Sequence, residues 1–261
     1  QSLENGSTKF YFSKEEERGY INQLNFSVNG KNATTEPHEK HIDIVKVLLP
    51  RPLPPKQSVV ISTPFFVKLP YIFSRAGFEG NNIYATQWYP KPAVYDSKGW
   101  HEMPYLDQGE FYSEFGKFEV EIIVPENYIV AASGELQNKE QLEKLKAIGK
   151  QKVEEQAVYK AFFQKQKQLI QEAKQQLAKN KTQKKVIIKP EENKITPSTK
   201  TTSYLYQISN AHDFAWFASP EFIVQYDTVQ LQTKIVDVFA FYRPKHLSTW
   251  KFANTYTKEG L

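Results

Sequence analysis

The sequence predicts a mainly β fold, an antiparallel β-sandwich or saddle-like curved sheet, with a helical insertion and a C-terminal helix. Three observations carry this. Aromatic residues are dense, with 18 Phe, 15 Tyr and 4 Trp in 261 residues, and such side chains suit a half-buried pleated surface. Short runs of period-two hydrophobicity recur along the chain between Pro, Asn and Gly punctuation, which argues for many strands and few helices. Residues 138–200 break the pattern: they hold 16 Lys, 7 Glu, ten Gln and only three aromatics.

Taken in order, Gln1-Ser2 reads as a tag-cleavage remnant. From residue 19 to 28, Tyr20, Asn22, Leu24, Phe26 and Val28 alternate on one face, and Asn29-Gly30 is the turn pair that ends the strand. Residues 41–49 form a β-branched run stopped by Pro50, Pro52, Pro54 and Pro55, which cannot donate ladder hydrogen bonds. A further strand region covers 58–69, with Pro64 marking an edge or a bulge. Residues 110–124 alternate through Phe118, Val120, Ile122 and Val124, and after the turn at Pro125-Glu126-Asn127 residues 128–136 return as the second arm of a hairpin. Strands are expected again at 202–209, 222–229 and 231–242.

Residues 139–181 are dominated by good helix formers. Phe162, Leu169, Ile170, Ala173 and Leu177 place one narrow apolar stripe on a helix, and Gly149 divides the region into a short and a long helix. Residues 191–199 read as a loop returning to the sheet. Residues 246–258 read as a helix with Trp250 and Ala253 on one face. The domain plan is a β domain over 3–137 and 201–245, a basic helical insertion over 138–200, and a linker or first helix over 246–261 leading to a further domain. The insertion reads as a solvated excursion, so removing 139–189 is expected to leave a folded β domain.

Charge and composition exclude several functions. The absence of Cys removes disulfides, thiolate metal sites and thiol nucleophiles. No apolar run is long enough to span a membrane. The formal net charge of +5 is uneven, because residues 138–200 carry a net +9 and the remainder a net −4. The basic segment has no Arg, and its aromatics Tyr159, Phe162 and Phe163 are clustered instead of interleaved with charge. A stacking platform for nucleic acid needs the interleaved pattern, so no nucleic-acid partner is expected.

Catalytic patterns are missing. His38-Glu39-Lys40-His41 places its imidazoles at i and i+3, whereas a zinc-binding helix needs i and i+4 around the Glu. No phosphate loop or nucleophile elbow occurs. The acceptor strings Asn5-Gly6-Ser7, Asn25-Phe26-Ser27 and Asn32-Ala33-Thr34 are near what chance gives. No catalytic residue and no metal ligand is assigned.

Residues 83–110 read I-Y-A-T-Q-W-Y-P-K-P-A-V-Y-D-S-K-G-W-H-E-M-P-Y-L-D-Q-G-E. With Phe118-Glu119-Val120-Glu121-Ile122, Pro125, Ala132-Ser133-Gly134-Glu135-Leu136 and His212-Asp213-Phe214-Ala215-Trp216, this order of strings resembles the N-terminal β domain of zinc aminopeptidases of the aminopeptidase N type, in a branch found among bacterial exported enzymes. The likeness runs from about Phe10 to Trp250. It implies a non-catalytic domain that caps the cleft of a gluzincin catalytic domain in the same polypeptide and contributes to binding the peptide N-terminus. The location implied is periplasmic, outer-membrane-associated or extracellular. Zinc and its HExxH motif are expected in that absent domain, with no cofactor in this chain. By the same resemblance, Gln87 matches the Gln of the family's T-Q-x-E run, which lines the pocket for the first substrate side chain. Tyr89 stands where the family has the Glu that holds the peptide's α-ammonium, and Trp88 lies between them. The substrate-binding candidates are therefore Gln87, Trp88 and Tyr89. A second reading is a stand-alone β-sandwich module that uses the basic insertion to contact a protein or anionic partner.

Overall fold

The computed structural model describes residues 11–72, 74–106, 111–179 and 195–261. Gln1-Ser2, the string at Asn5, the last four residues of the 83–110 segment, residues 180–181 of the helical stretch, residues 191–194 of the return loop and the side chain of Leu177 lie outside the described residues. The protein is mainly β, with antiparallel ladders, a helical insertion and C-terminal helices. In chain order the strands are β1 (Tyr20–Asn22), β2 (Ser27–Val28), β3 (Lys31–Asn32), β4 (Thr35–Pro37), β5 (Val45–Val47), β6 (Ile61–Ser62), β7 (Phe66–Lys68), β8 (Gly77–Glu79), β9 (Asn82–Ala85), β10 (Val94–Asp96), β11 (Gly99–His101), β12 (Gly116–Pro125), β13 (Ile129–Ala132), β14 (Glu135–Leu136), β15 (Thr201–Ala211), β16 (Trp216–Ser219), β17 (Ile223–Gln230) and β18 (Ile235–Tyr242). The helices are α1 (Lys139–Gly149), α2 (Ala157–Lys179), α3 (Leu247–Trp250) and α4 (Ala253–Gly260).

The chain divides into two compact units. The first comprises Gln1–Glu79, Tyr84–Phe118 and Ser209–Ala215, and it is built from short ladders. The strand expected through 19–28 is broken, because Gln23 takes φ +59° and turns the chain between β1 and β2. β1 pairs with β7, and β2 pairs with both β3 and β6. The turn pair is confirmed: Asn29 and Gly30 both have positive φ, as a tight hairpin between β2 and β3 requires. Of the 41–49 run only β5 is a strand, paired with β4. Pro64, which has no N–H to give a ladder, divides the 58–69 region into β6 and β7. β10 and β11 form a hairpin inside the 83–110 segment that was not expected, with Tyr95 opposite Trp100.

The second unit comprises Gly80–Ile83, Glu119–Ile208 and Trp216–Leu261. Here β15 lies between β12 and β14, and β13 pairs with β16. The hairpin expected between 110–124 and 128–136 therefore does not form. The turn at 125–127 is tied instead to the segment leading into β15: the N–H of Glu126 donates to Lys200 O, Asn127 Nδ2 donates to Thr196 O, and Ser198 N–H donates to Asn127 Oδ1. Those bonds bring β15 beside β12 and leave β13 to a different partner. β17 and β18 do form the expected hairpin, in register from Ile223↔Tyr242 to Gln230↔Ile235.

The core of this unit is aromatic and β-branched. Val130, Tyr204, Ala218, Ile223 and Val224 are essentially inaccessible. The hydroxyls of Tyr204 and Tyr206 donate to the carbonyls of Tyr128 and Val130, at 3.1 and 3.0 Å, so neither is buried unpaired. The ion pair of Arg243 with Glu221 is buried: Arg243 Nη2 and Nε lie 2.9 and 3.0 Å from Glu221 Oε2, which also accepts from Asn82 Nδ2 at 3.1 Å.

The insertion is helical as expected, and α1 ends at Gly149. Close packing accounts for glycine at this position: a Cβ at Gly149 would fall 2.5 Å from Tyr226 Cβ and 2.8 Å from Tyr226 N. α1 packs on β17, with Lys146 Nζ 2.8 Å from Asp237 Oδ2 and the ammoniums of Lys146 and Lys150 each 5.5 Å from the Tyr226 ring centre. Leu145 and Gln156 are buried, and the Gln156 carboxamide bonds both the N–H and the C=O of Val224. The insertion is thus not wholly solvated, because Leu145 and Gln156 lie in the interior of the second unit. Of its apolar stripe, Ala173 is buried, Phe162 and Leu169 are half-buried, and Ile170 is exposed. The C-terminal helix is split into α3 and α4, and α4 packs on β17 and β18 with Lys258 Nζ 2.6 Å from Asp227 Oδ2.

Candidate functional site

The residues Gln87, Trp88 and Tyr89 form a turn just after β9, within the first unit. Gln87 holds φ +54°, a left-handed conformation that costs a non-glycine residue roughly 1–2 kcal/mol. Such strain persists where the surroundings fix it, and the next residues show how. Trp88 Nε1–H donates to Phe214 O at 2.9 Å. The Tyr89 hydroxyl donates to Asp213 Oδ1 at 3.0 Å. The rings of Trp88 and Tyr89 meet edge to face at 5.3 Å, and Tyr89 meets Phe118 at 6.0 Å. Phe214 is fully buried and lies 6.1 Å from Phe118.

The turn is therefore clamped by Asp213 and Phe214, residues more than 120 positions away in sequence. Two of the strings that carry the resemblance, Thr86-Gln87-Trp88-Tyr89 and His212-Asp213-Phe214, are neighbours in space. His212 is itself fixed, with Nδ1 2.8 Å from Ser113 O and its ring 3.9 Å from Phe115. A carbonyl partner assigns the proton to Nδ1.

Asp213 is the hub. Its Oδ1 accepts from the Tyr89 hydroxyl and from the Phe214 N–H at 2.8 Å, and its Oδ2 lies 2.9 Å from Lys91 Nζ. The Lys91 ammonium also sits 5.5 Å from the Tyr89 ring centre and 5.8 Å from that of Phe111. Burial and the neighbouring Asp213 carboxylate push the Tyr89 hydroxyl far above the usual tyrosine range, so it stays a proton donor throughout the physiological range.

All three sequence-selected residues are half-buried, but their chemistry differs. Trp88 and Tyr89 have committed their polar atoms to the clamp. The Gln87 carboxamide makes no hydrogen bond among the described residues. Lys91 and Asp213 were not singled out from the sequence. A signal existed for each: Lys91 precedes Pro92, whose ring biases the residue before it towards extended backbone, and Asp213 belongs to a string already noted for its resemblance.

Elsewhere, the His38 and His41 rings stack at 4.9 Å. His38 Nδ1 accepts from the N–H groups of Lys40 and His41, so that nitrogen is engaged in a local turn. Among the described residues, no group of three His, Asp or Glu side chains is placed to hold a metal ion. Among the same residues, no helix is long and apolar enough to cross a membrane. Compared with protein-family models, with curated proteins and with solved structures, the chain matches none.

Proposed function

We propose that the chain is a non-catalytic β domain of a zinc-dependent metallopeptidase of the aminopeptidase type, which caps the active-site cleft and helps to bind the N-terminal end of a peptide. The support is the resemblance carried by the ordered strings, together with one observation. The Gln87 amide is half-buried, held in a strained backbone, and has spare donors and acceptors, while the residues after it are locked. A rigidly presented neutral amide is suited to bonding a peptide backbone without demanding charge. Trp88 and Tyr89 contribute ring faces that shape the wall behind it.

In this reading the zinc and its ligands belong to a further domain of the same polypeptide, where the metal would activate water and polarise the scissile carbonyl. The role of this chain is to restrict entry to peptide ends. Sequencing the coding region beyond Leu261 tests the proposal. An HExxH within about 150 residues is expected, since two His at i and i+4 with the intervening Glu make the zinc site. A reading frame with no such motif sinks the proposal.

A further inference from the structure

We propose that the outer face of α2 docks on a lipid surface rich in anionic headgroups, with Lys160, Lys167 and Lys174 as its electrostatic contacts and Ile170 as the apolar residue set among them. The inference does not rest on the peptidase reading, and the failure of either leaves the other standing.

α2 is a one-sided helix. Phe162 and Leu169 are half-buried and Ala173 is buried, whereas Lys160, Lys167 and Lys174 are exposed. The helix contacts the segments Val153–Glu155 and Pro244–His246 and turns its lysines to solvent. Residues seven apart drift only about 20° round a helix, so the three lysines form one row. Neighbours in it are about 10.5 Å apart along the axis, and the row is about 21 Å long.

The row carries one sign of charge. A solvated helix gains support from acids three or four residues from its lysines, and here no acid occupies any such position. Gln164 and Gln171 stand four residues beyond Lys160 and Lys167. Glu172, the single acid of α2, lies five residues after Lys167 and two before Lys174, where helical side chains do not meet. None of the three ammoniums has an acidic partner among the described residues. Their charge is left for something outside the helix.

Two observations favour a lipid surface over an acidic protein or a nucleic acid. The insertion contains no Arg. A lysine ammonium is a point charge, without the planar fork that matches carboxylate or phosphate geometry; it responds to a field, such as a layer of anionic headgroups supplies. Ile170 is 43% exposed and lies three residues after Lys167 and four before Lys174, on the same side of the helix. An apolar side chain flanked by ammoniums suits the headgroup boundary, where it leaves water while the lysine heads stay among the phosphates.

The test uses the full chain with vesicles of phosphatidylcholine alone and of phosphatidylcholine mixed equally with phosphatidylglycerol. Binding is read by co-sedimentation at about 0.1 M salt, where the Debye length is about 10 Å. The chain should prefer the mixed vesicles. Each lysine near such a surface contributes about fivefold, so Lys160→Gln, Lys167→Gln and Lys174→Gln together should weaken that binding about 100-fold. Arg at all three positions should keep it within about twofold, since only charge is read. Ile170→Gln should weaken it by about threefold or more. Lys31→Gln, Lys98→Gln and Lys117→Gln, which remove the same charge from exposed positions outside α2, should have less than about a threefold effect. Equal binding to both vesicles, an unaffected Ile170→Gln, or an equal loss from the control lysines overturns the proposal. So does binding of poly-L-glutamate or duplex DNA that depends on the three lysines when the vesicles are not bound. If the Gln variant does not fold, the unaltered chain decides: raising salt to about 1 M should release it from the mixed vesicles, and binding that survives refutes the electrostatic contact.

Discussion

Gln156 offers the sharpest test of how the insertion is joined to the second unit. Its Oε1 accepts from Val224 N–H at 3.1 Å, and its Nε2 donates to Val224 O at 2.7 Å and to Ile148 O at 3.4 Å. Val224 is fully buried on β17. The carboxamide thus supplies, on the open side of a two-stranded hairpin, the donor and acceptor that a third strand would give. Gln156→Leu keeps much of the volume and removes all three bonds. Leaving two buried backbone groups unsatisfied costs about 2–6 kcal/mol in total, at about 1–3 each. Burying an aliphatic side chain in place of the amide returns roughly 1–2 kcal/mol. Taken at the middle of these ranges, the expected net loss is about 2.5 kcal/mol, measured by urea unfolding followed by circular dichroism. A change below about 0.5 kcal/mol, within the range of ordinary surface substitutions, would refute the argument that the insertion completes the sheet edge.

Other outcomes follow from the same geometry. Gly149→Ala drives a methyl group into Tyr226 and should lower stability by about 1–3 kcal/mol, as overpacking does, read as a fall in the urea midpoint. Arg243→Met strips the partner from buried Glu221 and should cost about 3–5 kcal/mol in the same assay. Tyr204→Phe loses the bond to Tyr128 O, whereas Tyr242→Phe removes a buried hydroxyl that has no partner among the described residues. The first should destabilise by about 1 kcal/mol and the second should be neutral or stabilising. Burial raises the hydroxyls of Tyr204 and Tyr242 to about 12. Stability from keeping them neutral is complete below the unfolded value near 10 and is lost as pH rises towards 12, so alkaline unfolding monitored by tyrosinate absorbance should begin in that window.

Periodicity revealed the long strands and the helices because their signals are local. β15, β17 and β18 fall where alternation places them, and α1 ends at the glycine that splits the helical run. Pairing was less accessible. Sequence proximity favoured a hairpin of β12 with β13, but Glu126 and Asn127 bond to residues 196–200 and redirect both strands. The break at Gln23 and the strain at Gln87 also escaped, since both are non-glycine residues with positive φ and carry no compositional mark. Basic composition suggested a solvated excursion, although Gln156 and Leu145 are buried; charge on one face of a helix says little about what the other face packs against. At the candidate site, Gln87, Trp88 and Tyr89 were picked out by resemblance. Their fixing by Asp213 depends on a contact between residues 124 positions apart, which no local pattern encodes.

We propose that the turn at Gln87 faces the amino-terminal end of a peptide in a larger zinc peptidase. The most direct measurement is steady-state hydrolysis of leucine p-nitroanilide by the full parent polypeptide with and without Gln87→Ala. Losing a hydrogen bond made equally to bound substrate and transition state should raise KM about 3–10-fold, corresponding to about 0.5–1.5 kcal/mol, with kcat unchanged. An unchanged KM, or a parent polypeptide with no peptidase activity, would contradict the account.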